Sequence, residues 1–232
     1  MLLLSSPPRT ETNEKEEEKA FERIKESLYV PVVSDSLDAK GYRHQAMSPR
    51  IRPLRDDFKI VGRARTVTWG DVYAPEPNPY EVEIEFMDSL RAGDVVVTNT
   101  DYALRNAPWG ELMSTAAKCR GAAGAVIDSC VRDVKKIFDT KLPVFAAAIA
   151  PVDSAGRGRV TGYDQPVECG GVHVETNDLV IGDYDGIVIV PKTVENTVLE
   201  WAFLKVEKEN VTRSELLQGR TLKEFYAKYG VL

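Results

Sequence analysis

Residues 109–137, WGELMSTAAKCRGAAGAVIDSCVRDVKKI, carry in order the signals of a turn, a helix, a buried strand and a charged pair. Gly110 makes the turn, and the apolar residues after it have the spacing of one buried helix face. These residues are Leu112, Met113, Ala116 and Ala117. Gly121 ends the predicted helix, and the apolar run at residues 125–127 then predicts a core strand. The stretch therefore predicts a βα unit with reactive groups at both of its ends.

The charged pair Arg132 and Asp133 is the first candidate site. An adjacent Arg and Asp just past a buried strand place a fixed cation beside a hard oxygen ligand, which suits an anionic substrate held on a divalent metal. The N–H groups at the helix start, around Glu111, Leu112 and Met113, have no partner within the helix and favour a carboxylate. The alternative interpretation is a surface ion pair that caps the next helix.

Length and composition indicate one folded domain. The chain has 232 residues, of which 43% are hydrophobic, enough to bury a full core. We predict a flexible, polar and charge-rich tail over residues 1–15 and a single domain over residues 16–232. No stretch reaches the length of a membrane helix, and the opening leucines are too few for a signal peptide, so the prediction is a cytoplasmic protein with no membrane partner.

Charge and metal-ligand content narrow the function. A formal net charge of −6 argues against sequence-independent binding to nucleic acid. With His44 and His173 as the two histidines, hard oxygen ligands are favoured over a His-rich site for a transition metal. Three widely spaced cysteines, Cys119, Cys130 and Cys169, predict buried thiols and neither disulfides nor a zinc cluster.

The remaining patterns alternate helices with short strands, and the second half is rich in β-structure. Helices are predicted at residues 16–28, at 36–39 with a cap at Ser34 or Asp35, and at 79–90, 194–218 and 222–229. The loop at residues 99–108 follows a strand directly before the Gly110 turn. In α/β proteins, ligands bind at such carboxyl ends of strands.

Several motifs together resemble the RraA-like family. They are the run in residues 109–137, VSDSLD at 33–38, PVECGGVHV at 166–174, GDYDGIVIVP at 182–191 and KENVTR at 208–213. This family holds the regulators of ribonuclease activity A and the metal-dependent 4-hydroxy-4-methyl-2-oxoglutarate aldolases. The resemblance covers residues 33–232 and implies an α/β sandwich of the swivelling β/β/α type.

The resemblance also assigns roles at the candidate site. It implies that Asp133 is a metal ligand and that Arg132 contacts the carbonyl and carboxylate oxygens of a 2-oxo acid substrate. Gly110, Leu112 and Met113 are implied as substrate-binding residues, with the last two donating backbone N–H groups to the carboxylate.

Two glutamates complete the implied metal site. Glu111 matches the acidic position that holds metal-bound water, and Mg²⁺ or Mn²⁺ is the implied ion. A further Glu comes from the neighbouring subunit in the aldolases; alignment of the KENVTR segment places it at Glu209, with Glu207 as the alternative. The resemblance thus implies a homotrimer, or a hexamer built from trimers.

The chain departs from the aldolase pattern at two positions. Lys136 stands where the aldolases have an acidic residue, which reverses the charge and could remove a catalytic carboxylate. Ala147 stands where many relatives have an arginine, which weakens the case for the same dicarboxylate substrate.

The leading hypothesis is a divalent-metal-dependent lyase, an aldolase or decarboxylase that breaks a C–C bond of a 2-oxo acid through a pyruvate enolate. Its alternatives are a related lyase for a different hydroxy or oxo (sugar) acid, and a non-catalytic regulator that binds a ribonuclease. A methyltransferase is disfavoured, because no glycine-rich loop followed by an acidic residue is present.

Overall fold

The computed structural model describes residues 11–101 and 103–229. Its helices are α1 (Glu11–Ser27), α2 (Val30–Ala39), α3 (Glu81–Asp88), α4 (Glu111–Cys119), α5 (Val134–Thr140), α6 (Glu195–Leu217) and α7 (Leu222–Tyr229). Its strands are β1 (Arg52–Pro53), β2 (Ile60–Asp71), β3 (Asp94–Asn99), β4 (Gly124–Val131), β5 (Val144–Ile149), β6 (Gly158–Tyr163), β7 (Val167–Cys169), β8 (Val172–Val174), β9 (Leu179–Asp183) and β10 (Gly186–Val190).

One mixed sheet organises the molecule. Its strand order is β1-β5-β4-β3-β2-β9-β10, and β6 pairs with the second half of β2. Strands β2, β3, β4 and β5 run parallel, while β1, β6, β9 and β10 are antiparallel to their neighbours. The carboxyl ends of the parallel strands therefore share one edge of the sheet.

Successive apolar side chains along the strands face opposite sides of the sheet, so an apolar core forms on each side. In β3, Val95 and Val97 face a core that also contains the β7–β8 hairpin, whereas Val96 faces the core beneath α3, α4 and α5. This is the two-residue period of a strand buried on both sides. A third core joins α1, α2 and α6 to β9 and β10. A hairpin layer, a sheet layer and a helical layer confirm the β/β/α fold class.

The start of α2 differs from the sequence-based expectation. Ser34 and Asp35 were expected to cap a short helix, but α2 begins at Val30 and contains both. The Val30 N–H donates to Asp183 Oδ2 at 2.8 Å, so a carboxylate from β9 satisfies the first turn. That partner is distant in sequence, which is why local pattern did not show it.

The first helix begins at Glu11 rather than at residue 16, so residues 11–15 of the predicted tail are helical. Glu and Lys dominate this part, and both are good helix formers despite their charge. Residues 1–10 of the predicted tail lie outside the described residues. Cys130 and Cys169 are buried as predicted, but Cys119 is exposed, at the end of α4.

Within the described residues, the helices are all too short or too polar to cross a membrane.

Candidate active site

Three loops meet at the edge where the parallel strands end. The loop after β3 runs to Gly110, the loop after β4 holds Arg132 and Asp133, and the loop after β5 holds Asp153. Isolated bridges join Trp109 to Val131 and Ala107 to Asp153, and the Arg132 N–H donates to the Trp109 carbonyl at 2.9 Å. Segments that are far apart in the chain are thereby held side by side.

A cavity of about 310 Å³ opens between these loops and α3. Its lining contains every residue predicted for the substrate, together with side chains from α3 and from the loop after β5. The lining residues are Tyr80, Glu83, Ile84, Ala107, Pro108, Gly110, Glu111, Leu112, Met113, Arg132, Asp133, Asp153 and Ser154.

Asp133 is held in an unusual backbone conformation. Its φ is 57° and its ψ is 30°, in the left-handed region that non-glycine residues seldom adopt. Its carbonyl accepts the N–H groups of Lys136 and Ile137 at 2.8 and 3.0 Å, which starts α5. Asp133 occupies the N-cap position of α5, as the alternative interpretation expected, but its side chain makes no capping hydrogen bond. The carboxylate instead faces Gly110 and the cavity.

The Arg132 guanidinium lies closer to the Asp153 carboxylate than to the carboxylate of Asp133, its neighbour in the sequence. Its Nη2 lies 3.1 Å from Asp153 Oδ1, whereas its Nε lies 3.9 Å from Asp133 Oδ2. Tyr80 donates its hydroxyl to Asp153 Oδ2 at 3.2 Å. Asp153 therefore links α3 to the guanidinium and orients it, while about a third of the Arg132 side chain stays open to solvent.

The start of α4 is fixed by buried hydrogen bonds. Ser114 is fully buried; its N–H and its hydroxyl donate to the Gly110 carbonyl at 3.1 and 3.0 Å. The indole Nε1 of Trp109 donates to Ser114 Oγ at 2.8 Å. One turn away, Thr115 donates its hydroxyl to Glu111 Oε1 at 2.9 Å. These contacts orient the first-turn N–H groups and the Glu111 carboxylate.

The predicted buried face of α4 is confirmed at Ala117, and at Met113 and Ala116, which pack against the same core, but not at Leu112. Leu112 is 72% exposed, and the fully buried positions are Ser114 and Ala117. The hydrogen bond from Trp109 places Ser114 inward, and this rotates Leu112 to the mouth of the cavity.

Glu83 lines the cavity, although the sequence patterns did not predict it there. It lies in the first turn of α3, is 7% exposed and lines the cavity. Burial, together with the nearby charge of Asp153, raises its pKa to about 7 against the opposing effect of Arg132. Tyr80 and Asp153 were missed as well. The only sequence signal was the i, i+3, i+4 spacing of Tyr80, Glu83 and Ile84, which place one face of α3 on the cavity.

Other predicted residues lie outside the cavity lining. In the single chain, Glu209 accepts a hydrogen bond from the Tyr29 hydroxyl and lies 4.0 Å from Lys205. Glu207 and Lys136 are exposed. The supply of Glu209 to a neighbouring subunit's site stays a prediction.

Position 147 also lies away from the cavity lining. Ala147 packs against the core that contains the β7–β8 hairpin. The two departures from the aldolase pattern, Lys136 and Ala147, therefore do not line the cavity of the single chain.

The donor set fits a hydrated divalent ion. No cluster of three or more His, Cys, Asp or Glu side chains arranged for a metal is found in residues 11–101 and 103–229. However, Mg²⁺ is commonly held by one or two carboxylates plus water and substrate oxygens. Asp133 and Glu111 supply two carboxylates to one cavity. A Cβ at Gly110 would lie 2.9 Å from Asp133 Oδ2, so the glycine keeps space open beside that carboxylate.

Known proteins resemble this chain in sequence and in fold. A family model described as RraA-like, Aldolase/RraA, matches residues 30–189. A Halalkalibacterium halodurans protein provisionally named a 4-hydroxy-4-methyl-2-oxoglutarate aldolase is 33% identical over 174 residues, covering 73% of this chain and 76% of the relative. An uncharacterized protein of Methanocaldococcus jannaschii is 40% identical over 181 residues, covering 75% and 81%.

Among solved structures, Streptomyces coelicolor RraAS2 is described as an unusual member of the RNase ES inhibitor RraA protein family. It matches with a TM-score of 0.76 at 24% identity, covering 85% of this chain and 98% of that chain. At this identity the match shows a shared fold. Because the family model covers residues 30–189, more than half of the sequence, this chain belongs to the RraA-like family.

Proposed function

We propose that this protein is a divalent-metal-dependent carbon–carbon lyase that forms a pyruvate-type enolate from a 2-oxo acid. The observation that carries the proposal is the meeting of Arg132, Asp133 and the first turn of α4 in one cavity. These groups supply a fork-shaped cation, a hard oxygen ligand and free N–H donors to the same small volume. That combination suits the carboxylate and the neighbouring carbonyl of a 2-oxo acid.

Each group has a distinct task in this proposal. Asp133, with Glu111 acting through water, would hold Mg²⁺ or Mn²⁺, which when bound polarises the 2-oxo group and favours negative charge on its oxygen. Arg132 binds the carboxylate and carbonyl oxygens, and Asp153 fixes its orientation. The N–H groups of Leu112 and Met113 bind the carboxylate at the helix start.

The charges of the cavity also define a substrate class. Among the described residues that line it, Arg132 is the one cation, and Glu83 and Asp153 face the remaining space beside Tyr80 and Ile84. A second carboxylate on the substrate would meet these acids without a cation to neutralise it. A 4-hydroxy-2-oxo acid with a neutral group on C4 fits better than a dicarboxylate.

The proposed enzyme acts as a homotrimer or as a hexamer of trimers. Two apolar side chains at the cavity, Ile84 and Leu112, are 54% and 72% exposed in the single chain, which supports cover by another subunit. The Glu209 of that subunit is the proposed additional holder of metal-bound water.

The proposal is tested by pyruvate release from three substrates: 4-hydroxy-2-oxopentanoate, 4-hydroxy-4-methyl-2-oxoglutarate and oxaloacetate. Each is assayed with Mg²⁺, with Mn²⁺ and with excess chelator. We expect metal-dependent pyruvate release that chelator abolishes, fastest from the substrate with a neutral C4 group. Release from all three that is unaffected by chelator would contradict the proposed metal dependence.

Asp133→Asn supplies the matched site variant. Asn tolerates the left-handed conformation at residue 133, so the backbone is kept while the anionic ligand is lost. We expect at least about 100-fold lower turnover, since a ligand to the charge-stabilising ion is removed. The control is Asp139→Asn, an exposed aspartate on α5. Full metal binding by wild type without turnover of any substrate would favour the ribonuclease-binding alternative.

A further inference from the structure

Glu83 is a buried carboxyl group that faces the candidate active site. It lies in the first turn of α3, three residues after the N-cap residue Tyr80, and both side chains line the cavity. The residue is 7% exposed, and the next residues inward, Phe86 and Met87, belong to the apolar core beneath α3. Its carboxyl group therefore has apolar packing behind it and the cavity in front of it.

No hydrogen bond or ion pair holds this carboxyl group within the described residues. The groups that surround it are already engaged elsewhere: Tyr80 donates to Asp153, and Asp153 pairs with Arg132. Buried carboxyl groups that serve only the fold are normally paired, because an unpaired one is costly to bury. The cost is tolerated where function requires it. A free buried carboxyl that reaches a substrate cavity has the properties of a proton carrier.

We infer that Glu83 transfers the proton in the proposed cleavage reaction, an inference that rests on the proposed function. The Glu83 carboxylate takes the proton of the C4 hydroxyl of a 4-hydroxy-2-oxo acid as the C3–C4 bond breaks. The C4–O group becomes a carbonyl, and the bond electrons form the enolate at C2–C3. The Glu83 carboxyl then returns the same proton to C3, which yields pyruvate and leaves the carboxylate ready for another turnover.

The charges around Glu83 suit this exchange. Burial and the nearby charge of Asp153 favour the protonated form, whereas Arg132 favours the carboxylate. The result is a pKa of about 7, so both forms are populated near neutral pH. A general acid and base is most effective when its pKa is close to the working pH.

The test uses pyruvate alone, which requires no knowledge of the second product. We expect the wild-type protein with Mg²⁺ in ²H₂O to exchange the methyl hydrogens of pyruvate for deuterium. The loss of the methyl signal in ¹H NMR spectra measures this exchange. Glu83→Gln keeps the shape of the side chain but cannot carry the proton, so we expect exchange to fall at least about 100-fold. Glu81→Gln, an exposed glutamate in the same helical turn, is the matched control and is expected to exchange normally.

A second measurement separates proton transfer from damage to the site. Oxalate resembles the pyruvate enolate, and calorimetry with Mg²⁺ measures its affinity without turnover. We expect Glu83→Gln to bind oxalate without loss of affinity. Exchange at the wild-type rate in Glu83→Gln, or a parallel loss of exchange and oxalate affinity, would overturn the inference. Absence of exchange in wild type would instead refute the proposed function, and this inference with it.

Discussion

Gly110 shows how one residue sets the space beside the proposed metal ligand. A Cβ at this position would lie 2.9 Å from Asp133 Oδ2 and 3.2 Å from Arg132 Cγ. Its backbone is extended, with φ −150° and ψ −163°, a conformation that alanine also adopts. The requirement for glycine is therefore one of space next to the site, and the backbone conformation does not impose it.

Gly110→Ala is expected to weaken substrate binding while leaving the fold intact. The methyl group must push the Asp133 carboxylate or the Arg132 side chain away, so we expect KM for the 2-oxo acid to rise at least about tenfold. Thermal unfolding should show little change in melting temperature. Gly162→Ala on β6 is the control, because its new Cβ would meet nothing closer than Gln165 Nε2 at 3.9 Å. An unchanged KM in Gly110→Ala would mean that this space is not used.

At the residue scale, sequence pattern identified Arg132 and Asp133 but not their geometry. An Arg-Asp pair after a buried strand was the signal, and both residues line the cavity. The sequence did not indicate that Asp153 orients the guanidinium, or that Asp133 has a positive φ. Both features depend on the loop after β5 and on the way the chain enters α5.

At the scale of elements, one buried side chain joins α4 to the loop that precedes it. Ser114 accepts from the Trp109 indole at 2.8 Å and donates to the Gly110 carbonyl at 3.0 Å. These bonds hold the helix start against the loop that carries the cavity wall. The position of the first-turn N–H groups therefore depends on Ser114 as well as on the helix itself.

Ser114→Ala is expected to lower the free energy of unfolding by about 1–3 kcal/mol, because the buried Trp109 N–H loses its acceptor. Urea denaturation followed by circular dichroism measures this change. Thr115→Ala serves as the control for stability, since its side chain is exposed on the next position of α4. Equal stability of Ser114→Ala and wild type would show that another acceptor replaces the hydroxyl.

Elements with a strong local period were predicted well, and their ends were not. The helix after Gly110 and the strand at 125–127 are present as α4 and β4, although β4 extends to Val131. The early start of α2 was missed because its first N–H group bonds to Asp183. A helix end is set by whichever partner satisfies the orphan groups, and that partner can come from another part of the chain.

At the scale of the whole molecule, burial of Glu83 couples stability to pH. The ordinary pKa of a glutamate here is 4.5, and in the folded protein it is about 7. Between these values the folded state binds more protons than the unfolded state, so stability falls as pH rises. The stabilisation is complete below pH 4.5 and is lost as pH passes through about 7.

Glu83→Gln is expected to remove this part of the pH dependence. The rise in the Glu83 pKa from 4.5 to about 7 corresponds to about 3 kcal/mol of unfolding free energy. As the pH is raised from acidic to mildly alkaline, the variant should therefore gain stability of that order relative to wild type. Urea denaturation of both proteins at pH 5 and pH 8 measures the difference, with Glu81→Gln as the control. A constant difference between the two proteins across this range would contradict the raised pKa.

The sequence by itself determined the family motifs, the alternation of helices and strands, and the candidate pair at residues 132 and 133. These features are local, since the spacing of apolar residues and turn residues within an element reports how that element is buried. The family resemblance likewise implied the fold, which the layers of the structure confirm.

Only the tertiary structure decided what surrounds that pair. It brought Tyr80 and Glu83 from α3, and Asp153 from the loop after β5, to the same cavity. It also turned Leu112 outward and placed Ser114 in the core. The physical reason is that these contacts depend on which strands are neighbours in the sheet and on where their carboxyl ends meet. Neither can be predicted from the spacing of residues in the sequence.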